Sequence, residues 1–184
     1  MKKYINLLLT ILLFISCNTN KSEKIINENC YITLKSVSNV TEVYDERNKL
    51  LTQMRDEIRA EKNIDTINIK KIKSLSKKIN EQITLSLKIL KGKETDNKNE
   101  EIFDVSIKYL TKVKELENKI PLLIKELSDN APDINFRLKE SISKITAEVI
   151  QLGNFYHDAM NRYYKEHNMS DKKLDSIEKA VERN

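Results

Sequence analysis

Glycine and proline are nearly missing from this 184-residue chain: there are two of each, no tryptophan and two histidines. Turn-dense all-β folds and glycine-rich phosphate loops need the conformations and close approaches that glycine supplies, so this composition excludes both. His157 and His167 stand ten residues apart, about 15 Å of rise on one helix, too far for both rings to hold one metal ion. No His-Glu-x-x-His pattern, paired-cysteine motif or serine in a glycine-rich elbow is present. Acids are plentiful, as at Asp45, Glu46, Asp56, Glu57, Glu100 and Glu101, but no pattern places one in an apolar cleft where it would become a general acid. They read as solvated helix faces. The sequence therefore predicts no catalytic residues, no resident cofactor and no metal site, with an enzyme ranked behind a binding or a structural protein.

What is present begins at the N-terminus. Lys2 and Lys3 precede an apolar run from Ile5 to Ile15, and small Ser16 stands immediately before Cys17. The run is too short for a comfortable transmembrane helix but suits an export signal. The segment Leu12-Leu13-Phe14-Ile15-Ser16-Cys17 resembles a bacterial lipoprotein signal, with Phe14 where leucine is commoner. That resemblance implies cleavage before Cys17, a diacylglycerol group on its thiol and attachment to the cell envelope, at the outer membrane ahead of the inner. The alternatives are an ordinary signal peptide with an incidental cysteine, or an uncleaved anchor. Losing residues 1–16 removes two lysines and no acid, leaving 31 basic against 28 acidic side chains in 168 residues. This is enough chain for one domain with a real core. Lipidation consumes Cys17 and leaves Cys30 as either a partly buried small side chain or a thiol able to cross-link two molecules.

Residues 17–32 are polar at first and lack a sustained stripe, which reads as the lipidated cysteine and a flexible tether. From about residue 33 to 61, Val37, Val40, Tyr44, Leu51, Met54 and Ile58 follow steps of three and four, with Arg47 interrupting one layer. Ile64-Asp65-Thr66 offers a break and a cap, and a second stripe runs from Ile69 through Ile72, Leu75, Ile79, Ile83 and Leu87 to Leu90. Gly92 is expected to stop it, with residues 91–99 as an exposed loop. A third stripe runs from Ile102 through Ser106, Tyr109, Val113, Leu116 and Ile120 to Leu127, with a kink or break expected at Leu116–Ile120 because of Pro121. The turn at 128–133 precedes a fourth stripe from Leu138 to His167, which Gly153 weakens without breaking. Ser170 then starts a short last helix carrying Leu174, Ile177 and Val181.

These segments predict an all-α fold: an antiparallel bundle of four long helices over residues 33–168, with a short C-terminal helix or tail at 169–184. A coiled-coil dimer is the alternative for such spacing. Two sets of side chains are candidates for an interface. Lys70, Lys73 and Lys77 share one side of the second helix, where an anionic lipid, a polysaccharide or an acidic protein fits an exported chain better than nucleic acid does. Phe155 and Tyr164 fall beside the main stripe of the last long helix, as exposed aromatic anchors or as ordinary surface. The whole pattern, with Tyr44-Asp45-Glu46-Arg47-Asn48 and Tyr163-Tyr164-Lys165-Glu166-His167-Asn168-Met169 as local likenesses, resembles small helical surface lipoproteins of Bacteroidetes and spirochaetes. That group includes binders of host proteins, which implies a lipid-anchored protein recognising a macromolecular partner through a helical face. The alternative is a periplasm-facing structural or accessory lipoprotein. Asn18-Thr19-Asn20-Lys21 departs from the acidic residues usual after the cysteine in Bacteroidetes surface lipoproteins, so the membrane face stays open.

Overall fold

The computed structural model describes the backbone of residues 2–60, 66–96, 100–128 and 136–183, and side chains within 22–60, 66–95, 100–126 and 137–183. The side chains of the signal segment and Cys17 lie outside the described residues, as do Ile64, Asp65 and the turn at 129–135. The described residues form an all-α fold: α1 (Lys2–Arg59), α2 (Thr66–Asp96), α3 (Glu101–Glu117), α4 (Ile120–Ser128), α5 (Phe136–Glu166) and α6 (Asp171–Glu182). Among these residues no helix is long and apolar enough to cross a membrane.

Cross-helix pairs set the directions. Glu28 meets Lys93 and Glu46 meets Lys71, so α1 and α2 are antiparallel. Glu101 meets Arg162 and Lys112 meets Glu148, which makes α3 and α5 antiparallel as well. With α2 packed on both α1 and α3, the four rods α1, α2, α3–α4 and α5 form the expected antiparallel bundle. The stripes face its centre: Val37, Val40, Ile79, Ile83, Leu90, Ile102, Leu110, Val149, Tyr156 and Tyr163 are all buried in one cluster. A smaller cluster of Met54, Ile72, Ile120 and Ile124 packs the far end.

The third rod breaks where Pro121 requires it. Helix α3 ends at Glu117, the Lys119 N–H donates to the Leu116 carbonyl in a tight turn, and α4 starts at Ile120 with proline in its first turn, where the missing N–H has no partner to lose. The close of α5 is equally well defined. Asn168 takes a left-handed φ of 48°, while the Met169 N–H donates to the Tyr164 carbonyl and the Asn168 N–H to the Lys165 carbonyl. This is a Schellman cap with asparagine in the glycine position. Ser170 occupies the N-cap of α6 through its backbone carbonyl, which accepts from Lys173 and Leu174, while its side chain makes no cap bond.

Two boundaries differ from the sequence reading. Residues 22–32 belong to α1 rather than to a tether, and Asn29, Cys30 and Thr33 are buried. Polar composition hid this because Asn29 and Thr33 point into the bundle, Thr33 donating its hydroxyl to the Asn29 carbonyl. Helix α2 also continues through Gly92 to Asp96 instead of stopping there. A mid-helix glycine costs only about 1 kcal/mol. The Lys93–Glu28 pair and the Thr95 hydroxyl bond to the Lys91 carbonyl hold the extra turn.

Candidate functional site

The predicted interface residues do not form one patch. Lys70, Lys73 and Lys77 are exposed on α2, with Lys77 reaching Glu81 at 3.9 Å. Phe155 is 49% exposed on α5. Tyr164 lies nine residues on, about half a turn around the helix, on the opposite side and partly buried. Burial pushes its phenol above the usual tyrosine range.

The richer surfaces flank α1, which shows two stripes of i, i+3, i+4, i+7 spacing about 200° apart. On one flank Ile32, Lys35, Ser36 and Asn39 face Gln82, Leu85, Ser86 and Ile89 of α2 across a shallow groove of about 380 Å³. Leu85 is 62% and Ile89 51% exposed there, and the Gln82 Oε1 is buried without a hydrogen-bond partner among the described residues. Lys35 sits over the Tyr31 ring at 5.7 Å. The Ser86 hydroxyl donates to the Ser36 carbonyl and ties the two helices at the groove floor.

On the other flank Leu34, Val37, Ser38 and Thr41 face Gly153, Tyr156, His157, Met160, Asn161 and Tyr164 of α5, with Tyr109 of α3 also lining the space and Glu178 of α6 beside it. This groove holds about 520 Å³. The Tyr109 and Tyr156 rings stack at 6.1 Å, and His157 tilts against Tyr156 at 5.3 Å. Burial raises the pKa of both phenols, so the rings stay neutral.

Arg47 and Glu117 form an ion pair that is 1% and 0% exposed, with Arg47 also 4.7 Å from the Tyr44 ring. Desolvation pushes the Glu117 carboxyl up and the Arg47 guanidinium down, while their mutual attraction opposes both shifts. The pair stands between the two apolar clusters, after Val43 and Leu116 and before Met54 and Ile120. It lines neither groove, which makes it a structural layer. Cys30, fully buried, has its thiol pushed up to about 11 by that burial. It takes the role of a packed side chain rather than of an accessible cross-linker.

His157 is exposed and His167 packs edge-on against Tyr163 at 4.3 Å. Among the described residues no three His, Cys, Asp or Glu side chains gather closely enough to hold a metal ion. Sequence reasoning missed both grooves, although the paired spacings on α1 were in the chain. The signal lay in Leu85 and Ile89, apolar residues off the α2 stripe, and in Gly153, a mid-helix glycine in the wall of the second groove beside Tyr109. Comparison with known proteins adds no relative: no family model matches the chain, and neither does any curated protein or solved structure.

Proposed function

We propose that this chain is a lipid-anchored cell-envelope protein that recognises a macromolecular partner through the outer face of α1 and α2. The observation that carries the reading is the exposure of Leu85 and Ile89 beside a groove between two helices. Exposed aliphatic side chains around a groove are what an amphipathic protein segment covers on binding. Lys35 lines the same groove, and Lys77 stands eight residues from Leu85, about 80° around α2, with exposed Lys78 and Lys88 nearby. The partner that fits is an acidic amphipathic protein segment, its apolar side against Leu85 and Ile89 and its carboxylates toward the lysines. Cys17, at the end of the apolar N-terminal run, supports lipid attachment.

Capture from native envelope with the intact lipoprotein tests this reading. The partner should be retained by wild type, lost with Leu85→Asp or Ile89→Asp, and weakened by salt and by Lys70→Glu, Lys73→Glu and Lys77→Glu together. A partner held equally by the aspartate variants rules out this face. For the anchor, Cys17→Ala should abolish acyl labelling, and labelling that persists removes the assignment. Protease accessibility on intact cells distinguishes external binding from a periplasm-facing accessory role.

A further inference from the structure

From the groove between α1 and α5 we infer a second, separate binding site, for a small organic cation with an apolar body. Three tyrosines, Tyr109, Tyr156 and Tyr164, line it, together with apolar Leu34, Val37 and Met160. Among the residues that line it Glu178 is the one lysine, arginine, aspartate or glutamate, and it forms no ion pair with another lining residue. Glu178 is thus the one acid in the groove's lining. Aromatic faces add attraction for a cation through their ring electrons, strongest for a weakly hydrated ammonium. A volume of about 520 Å³ falls within the range of small-molecule sites.

Gly153 supports the same assignment. A helix interior disfavours glycine, and a Cβ built there would meet the Tyr109 ring at 3.5 Å, an ordinary contact. Packing with Tyr109 does not demand glycine, so its effect is to leave the groove wall open. The opposite face of α1 forms the α2 groove, and occupancy here leaves Leu85 and Ile89 uncovered.

The test uses the full lipidated chain in phosphatidylcholine nanodiscs, with ring-labelled tyrosines followed by NMR. The probe is 4-phenylbutyltrimethylammonium, compared with 4-phenylbutanol and 4-phenylbutyrate, which keep the body and change the charge. Expected are saturable shifts at Tyr109, Tyr156 and Tyr164, none at Tyr31, and affinity about tenfold weaker in Glu178→Gln. Gly153→Leu, which fills the groove from a half-buried position inside α5 where leucine has the better helix propensity, should remove the shifts while circular dichroism stays unchanged. Equal binding of the alcohol or the carboxylate, an unchanged affinity in Glu178→Gln, or shifts confined to Tyr31 would each overturn the proposal.

Discussion

Cys30 shows how far a single residue could be read from its neighbours. Its polar surroundings, Asn27-Glu28-Asn29, suggested a segment near a tether, yet the side chain is wholly inside the bundle. A thiol reacts as its thiolate, and burial both withholds the anion and blocks the reagent. Iodoacetamide at pH 8 should therefore modify Cys30 only as fast as the protein opens, with rapid labelling appearing in denaturant. Rapid native labelling would contradict the buried placement. Arg47 was legible in another way, because it interrupts the α1 stripe. Its partner was not: Glu117 follows Leu116 directly, and nothing in the α3 spacing marks it as buried. Removing one member leaves an unpaired buried charge, so Arg47→Met should destabilise the fold by about 3–5 kcal/mol. Arg47→Met with Glu117→Leu should recover most of that loss, since two apolar side chains would join the flanking clusters. Urea denaturation of both variants measures the difference, and a double variant no better than the single would show that the pair is irreplaceable.

Helix cores were readable at the scale of elements, as were the ends set by local chemistry, whereas the end of α2 was not. The α2 stripe predicted Ile72, Ile79, Ile83 and Leu90 as core, and all four are fully buried. The break at Pro121 was equally visible, because proline acts through local sterics that need no tertiary information. Gly92 misled because glycine only biases a helix, whereas the Lys93–Glu28 contact with α1 lies 65 residues away in sequence. The residue is helical, its φ is not positive, and a Cβ there would meet nothing within 4 Å. Gly92→Ala should accordingly stabilise the protein by roughly 0.5–1 kcal/mol, through a less flexible unfolded chain and better helix propensity. A raised urea midpoint with an unchanged slope is the expected result. A fall would mean that the C-terminal turn of α2 is not helical in solution.

For the molecule as a whole, the bundle was legible because four stripes in one chain can bury one another, but the closure of its N-terminal end was not. That closure is made by residues assigned to a tether and to a short C-terminal helix or tail. The Tyr163 hydroxyl donates to the Ile26 carbonyl, Lys173 pairs with Glu23 at 2.5 Å, and α6 packs on α1 with Val181 buried. These contacts join segments up to 150 residues apart, a distance at which hydrophobic period carries no information. The folding unit consequently extends beyond residues 33–168. A fragment of residues 22–183 should unfold at a clearly higher urea concentration than one of 33–168, which lacks Cys30, the Ile26 acceptor and the α6 cover and leaves the buried Tyr163 phenol without its partner. Steady-state circular dichroism should show both as helical, so the discriminating measurement is the midpoint. Equal midpoints would return residues 22–32 to the status of a tether, and would also mean that α6 contributes nothing to the end of the α1–α5 groove that Glu178 borders.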